Sequence, residues 1–248
     1  MKEIMGNVNI KDLLVEICSK IIEGNNKPLD IKKFKKTGIR NHIYNEEGVQ
    51  LRIGFELLNK LGLKGNIEFE KLYHNIKRGR KEKTDIYFFY DGLKIGIELK
   101  FKTWGLRKKD NSVDYNARKN KGYYYEWQGA WPNGRHDFYY DIHRLNNLID
   151  KNIIDKGYQI FITNDKEYFK KVKDSKRSNS FLFSMNENRK IPQALPAPEW
   201  KNKNKEDLIL NYAKGERIKW IHDTKGAIND LPKFSFVIIE LKQKNKLL

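Results

Sequence analysis

The dipeptide Asp91-Gly92 sits between two apolar runs in "TDIYFFYDGLKIGIELKF" (84–101). An Asp-Gly pair flanked in this way is the strongest short-range signal for a two-residue β-hairpin, because both positions take up positive φ at little cost. Placing the loop there fixes the register. Tyr90 pairs with Leu93, Phe88 with Ile95 and Ile86 with Ile97, and these apolar pairs make one face a core face. The opposite face then sets Phe89 against Lys94, Tyr87 against Gly96 and Asp85 against Glu98, with Lys100 two residues further on. The chain is thereby committed to a hairpin that carries two opposed carboxylates and a lysine beside an apolar core.

Carboxylates directly across a strand pair have Cβ atoms roughly 5 Å apart, and like charges there are destabilising. A bound cation, a shared proton or a neighbouring basic group resolves the conflict. A hard divalent cation such as Mg2+ takes oxygen ligands and commonly keeps several waters. Asp85 and Glu98 are therefore candidate metal ligands. Lys100 is placed to orient or activate a water, or to stabilise charge developing on a phosphate. The plainer alternative is a solvated outer face on which Lys83 and Lys100 neutralise the acids.

The rest of the chain is consistent with an α/β protein. Ile10, Leu13, Leu14, Ile17, Ile21 and Ile22 recur at helical spacing over 10–23, and Gly24 is a stop signal. A second helix is expected over 45–61, with Val49, Ile53, Leu57 and Leu61 as its apolar stripe, Asn45 as N-cap and Gly62 as terminator. Strands are expected near 66–75, 84–90 and 93–101, a helix at 141–154, a buried strand at 157–163 and a last strand at 234–241. Residues 105–137 read as a long loop or insertion, 166–172 as a short helix, and 174–206 as an extended connection over the surface. No internal repeat or linker divides the chain, so one domain is expected: residues 1–40 a helix and basic connector, 41–172 the core, 173–248 an extension packed on it.

Composition narrows the partner. Among 248 residues, 50 Lys plus Arg stand against 32 Asp plus Glu, a formal net charge of +18. Such an excess favours a polyanion, although AT-rich coding also yields Lys-, Asn- and Ile-rich chains. Cys18 is the sole cysteine, which excludes an intrachain disulfide and a cysteine metal cluster. The opening "MKEIMGNVNIKDLLVEICSKIIEG" is broken by charges and is no signal peptide, and no apolar run approaches the ~20 residues that span a bilayer. A soluble, cytoplasmic protein without a membrane partner is expected. His42, His74, His136 and His222 show no zinc spacing, and "GLKGN" lacks the Walker pattern.

Asp85, followed after twelve residues by Glu98-Leu99-Lys100 at the end of an apolar strand, resembles the motif of the PD-(D/E)xK nuclease superfamily. It stands here as "TD…IELK", with Thr84 where proline is common. The order of elements over about 41–165 is similar to that superfamily's αβββαβ core. The resemblance implies a restriction-endonuclease-like fold: a central mixed sheet flanked by helices, here with an N-terminal helix and a C-terminal extension. It implies Mg2+, with Mn2+ as a substitute, held by Asp85 and Glu98, and Lys100 assisting hydrolysis. Members often add a helical Glu, for which Glu46 is preferred over Glu47 and Glu56. It also implies DNA as substrate and a restriction or phage-defence role, often as a homodimer. A catalytically silent nucleic-acid-binding module on the same fold and an RNA-processing nuclease are the alternatives.

Positive charge brackets the hairpin. Lys77, Arg78, Arg80, Lys81 and Lys83 precede it, and Lys102, Arg107, Lys108, Lys109 and Arg118 follow. Such residues supply sequence-independent, salt-sensitive phosphate contacts. The segment 118–140 interleaves bases with Tyr123, Tyr124, Tyr125, Trp127, Trp131, Phe138, Tyr139 and Tyr140. These rings suit base stacking or core packing, and about half are expected in the core. Arg144 either approaches the site or pairs with Asp141 at i, i+3.

Overall fold

The structure, a computed structural model, describes residues 8–25, 45–63, 66–73, 82–103, 131–173, 179–200, 206–223 and 233–243. It has a mixed six-stranded sheet with helices on both faces. In chain order the elements are α1 (Ile10–Asn25), α2 (Glu46–Leu61), β1 (Ile67–Tyr73), β2 (Glu82–Tyr90), β3 (Leu93–Lys102), α3 (Trp131–Asp150), β4 (Lys156–Thr163), β5 (Ala194–Leu195), β6 (Leu208–Ile209), β7 (Ile221–His222) and β8 (Ser235–Lys242). The sheet order is β1-β2-β3-β4-β8-β7, and β5 pairs with β6 separately. Among the described strands only the β3–β4 pair is parallel, and α3 lies between these strands in sequence, the usual crossover for a parallel pair.

Period-two alternation divides the strands between two cores. Ile95, Ile97, Leu99 and Phe101 of β3 join Ile160 and Ile162 of β4 in packing against α1 and α2. Phe161, Val237 and Ile239 face the other way, toward α3 and the segment that follows β4. Cys18 is buried in the first core. The caps of α2 form as expected: Gly48 N donates to the Asn45 side chain at 2.9 Å, and Gly62 takes the left-handed conformation at φ 61°.

Two expectations need correction. Residues 131–137 belong to a helix: α3 begins at Trp131, ten positions before the expected start, and ends at Asp150 rather than 154. Pro132 and Gly134 read as loop residues, yet proline is tolerated in a first helical turn, where its missing N–H is no loss. The early turns are fixed by packing, since Phe138 and Tyr139 are fully buried. These rings are core residues and cannot stack bases; Tyr123, Tyr124, Tyr125 and Trp127 lie outside the described residues. The stretch 174–206, read as a surface connection, contributes Phe183, Met185, Ile191 and Leu195 to the second core. The isolated apolar residues that pin it down carry no periodicity.

Candidate functional site

The Asp91-Gly92 hairpin pairs Tyr90 with Leu93, Phe88 with Ile95 and Ile86 with Ile97. The ladder stops there. β3 continues alongside β4 to the Lys102–Thr163 pair, whereas the first half of β2 follows β1 as far as the Tyr73–Glu82 pair. A seam therefore opens between β2 and β3 beyond Ile86 and Ile97, and Asp85 and Glu98 stand at its mouth rather than forming a regular cross-strand pair.

Side-chain carboxylates take over the hydrogen bonds that a strand partner would have supplied. Leu99 N donates to Asp85 Oδ2 at 2.6 Å, and Phe101 N donates to Glu46 Oε2 at 2.9 Å. Glu46 reaches the seam because it occupies the first turn of α2, beside the Asn45 cap. The next turn supplies Gln50, whose amide donates to the Asp85 backbone carbonyl and, at 3.3 Å, to Glu70 Oε1. Glu70 stands opposite Asp85 in the β1–β2 register and has φ 51°, a conformation that costs a non-glycine residue about 1 kcal/mol or more. Glu47 is solvent-exposed and Glu56 pairs with Arg52 at 2.9 Å, so of the three candidates α2 brings Glu46 to the seam. Thr84, in the position where proline is common, is buried, with its hydroxyl 3.1 Å from that of Tyr73.

Glu98 is 0% exposed, which rules out the solvated outer face. It projects toward α3, which answers with Asp141 and Arg144. Arg144 Nη2 lies 2.9 Å from Glu98 Oε1 and donates to the Lys83 carbonyl; Nη1 donates to Asp141 Oδ1 at 3.3 Å. Arg144 thus makes both contacts that its sequence position suggested. Lys100 Nζ stands 3.3 Å from Glu46 Oε1 and 3.6 Å from Asp141 Oδ2. Even so, among the described residues neither oxygen of Glu98 receives a hydrogen bond, nor does Asp141 Oδ2 or the side-chain oxygen of Gln159. Gln159 is fully buried and stands beside Glu98 in the β3–β4 register.

Burial governs the charge states. It raises the Glu98 carboxyl well above its ordinary range, with Arg144 pulling the other way and the Asp85 charge adding to the rise. Burial likewise pushes Asp141 up to about 7 against the pull of Lys100 and Arg144. For Lys100 burial disfavours the charge, but Asp141, Glu46, Asp85 and Glu98 together outweigh it and hold the ammonium protonated.

Among the described residues, no group of three or more His, Cys, Asp or Glu side chains is arranged to hold a metal ion. Glu98 itself suits a hard cation, since both of its buried carboxylate oxygens lack a hydrogen-bond donor among the described residues, whereas Asp85 Oδ2 and both Glu46 oxygens already accept hydrogen bonds. Lys102 is half-buried at the end of β3. Lys77, Arg78, Arg80, Lys81, Arg107, Lys108, Lys109 and Arg118 lie outside the described residues.

The sequence did not single out Asp141, Gln50 or Gln159 for the site. Gln159 had a signal, as a polar break inside the apolar run "GYQIFIT", and Asp141 had its i, i+3 spacing from Arg144. Gln50 had none beyond its place one turn after Glu46.

Comparison with known proteins adds little. No protein-family model and no curated protein sequence matches the chain. One solved structure, described as "Crystal structure of SSO0001", aligns at 16% identity over 66% of this chain and 65% of that one, just under two thirds of its length, with a TM-score of 0.24. At that similarity it carries no argument. No described helix is long and apolar enough to cross a membrane.

Proposed function

We propose that the protein is a Mg2+-dependent endonuclease that hydrolyses DNA phosphodiester bonds, built on a restriction-endonuclease-like core of the PD-(D/E)xK type and acting in restriction or phage defence. One observation carries the reading: a fully buried carboxylate, Glu98, has no hydrogen-bond donor on either oxygen among the described residues, at a seam that also presents Asp85 and Lys100. Buried carboxylates are as a rule hydrogen-bonded ion-pair partners or metal ligands, and at Glu98 the pairing is incomplete, because Arg144 stands 2.9 Å from Oε1 without an aligned hydrogen bond.

Asp85 and Glu98 are the metal ligands in this proposal, with Glu46 joining from α2. A bound Mg2+, or Mn2+ in its place, supplies Lewis acidity toward a phosphoryl oxygen. Lys100 has a narrower role than its motif position alone allows. Its ammonium stays protonated among four acids, so it serves as a cationic donor toward the phosphate and not as a base. Gln50 fixes the Asp85 backbone, and Asp141 positions Lys100. The net charge of +18 suits a polyanion; the choice of DNA follows from the family resemblance, as does a homodimer able to cut both strands.

The test is incubation of supercoiled plasmid and a structured RNA with the protein, with Mg2+ or EDTA. Metal-dependent cutting of DNA, lost in Glu98→Gln and Lys100→Ala, supports the reading. Cutting that survives EDTA or both substitutions overturns it. One observation favours a second reading: Arg144 and Lys100 already place positive charge against Glu98 and Asp141. On that reading the fold binds nucleic acid without cutting, and the variants bind as wild type does.

A further inference from the structure

Arg144 lies where a cation at Glu98 would compete with it. Its guanidinium joins three elements: the backbone of β2 through the Lys83 carbonyl, Glu98 on β3 and Asp141 on its own helix. Its side chain is 18% exposed and that of Glu98 is 0% exposed, so solvent screens the pair weakly. The contact is close in distance but poor in direction. Nη2 is 2.9 Å from Glu98 Oε1, yet its aligned hydrogen bond goes to the Lys83 carbonyl, and Oε1 receives none. A guanidinium committed to a buried carboxylate normally engages it through parallel, aligned N–H groups. Here it neutralises Glu98 without engaging it, while Lys83 and Asp141 hold it in place from the side.

We infer that Arg144 is a positioning residue that acts as a resident counter-ion for Glu98, competing with a divalent cation for that carboxylate and so setting the cation concentration at which the site fills. The inference rests on the reading of Glu98 as a cation ligand. Its physical basis is that two positive groups cannot both make full contact with one buried oxygen without repelling each other. The cation-free protein keeps its buried carboxylate compensated. A divalent cation at the seam would draw Glu98 away from Arg144, while the hydrogen bonds to the Lys83 carbonyl and Asp141 would keep the guanidinium in place. Coupling of this kind is reciprocal, so removing Arg144 must strengthen cation binding as surely as the cation weakens the Arg144 contact.

The experiment is a calorimetric titration with Mn2+, paired with thermal melts with and without Mn2+, on wild type, Arg144→Gln, Arg144→Lys and Glu98→Gln. Arg144→Gln is expected to melt lower than wild type without metal, to regain more of its melting temperature when Mn2+ is added, and to bind Mn2+ at about tenfold lower concentration, within the range of coupled sites. Arg144→Lys keeps the charge and should retain most of the competition, so it serves if the glutamine variant does not fold. Glu98→Gln should abolish the binding. Equal or weaker Mn2+ binding in Arg144→Gln, with binding in wild type still dependent on Glu98, overturns the role of Arg144 and leaves the nuclease reading standing. An absence of Glu98-dependent binding in wild type and every Arg144 variant overturns both.

Discussion

At the residue scale, burial and charge pull against each other at Glu98 and Asp141. The ionised acids belong near cations, yet the fold buries both where α3 packs on β3, Asp141 on the helix and Glu98 on the strand, with four acceptor oxygens between them and few aligned donors among the described residues. Burial raises Asp141 to about 7, whereas an aspartate in an unfolded chain titrates near 4. Between about pH 4 and 7 the folded protein therefore holds a proton that the unfolded chain has released, and stability falls as pH rises through that window. Glu98 moves in the same direction. Glu16 moves the other way, held low by hydrogen bonds from Lys20 and Lys60, so the wild-type curve mixes both signs. A difference experiment isolates Asp141. In chemical denaturation without metal, Asp141→Asn should gain stability relative to wild type as pH rises from 5 to 8; a difference that stays flat would show that Asp141 is ionised in the fold. For the proposed chemistry, Glu98→Gln removes a charge but not a shape, and metal-dependent cleavage should fall by about two orders of magnitude or more. Plasmid nicking rates measure this directly.

At the scale of elements, the site is a consequence of where strands part. β2 follows β1 while β3 follows β4, and the N-terminus of α2 and the middle of α3 fill the seam from opposite faces. The Asn45 cap fixes the turn that carries Glu46, and Asn45→Ala should cost ~1 kcal/mol. At this chain length that lowers the melting temperature by about 2–4 °C. Gly134 tests the early start of α3, because a Cβ there would overlap the hydroxyl of Tyr168, a ring only 2% exposed. Gly134→Ala should destabilise by about 1–3 kcal/mol in the same melts; an unchanged melting temperature would place that turn elsewhere. Local patterns carried much of this architecture. Asp91-Gly92 set the hairpin register, and Asn45 and Gly62 marked the ends of α2. The seam itself was not legible, since a ladder that ends after Ile86 depends on β1 drawing β2 aside. The first turns of α3 were hidden by Pro132 and Gly134, whose local meaning is overridden by packing of Phe138 and Tyr139.

At the scale of the whole molecule, three layers bury two separate cores, and the polar seam opens between β2 and β3 in the sheet that divides them. Asp85, Glu98 and Lys100 were legible as a candidate site because hairpin register and alternation place them on one face. Asp141 and Gln50 were not, because their approach depends on how whole helices dock. The charge of +18 bears on binding rather than on fold. If phosphate contacts dominate, affinity for a short DNA duplex should fall at least ~10-fold between 50 and 200 mM salt, whatever its sequence. Fluorescence anisotropy across that range checks this, and a salt-independent affinity would remove the polyanion from the account. The proposed chemistry requires a cation between β2 and β3. The most direct measurement is an anomalous difference map from crystals of the protein soaked in Mn2+. A peak between the Asp85 and Glu98 carboxylates, with Glu98 turned toward it and away from Arg144, is the predicted result. An empty seam at saturating Mn2+, with Arg144 still against Glu98, would contradict it.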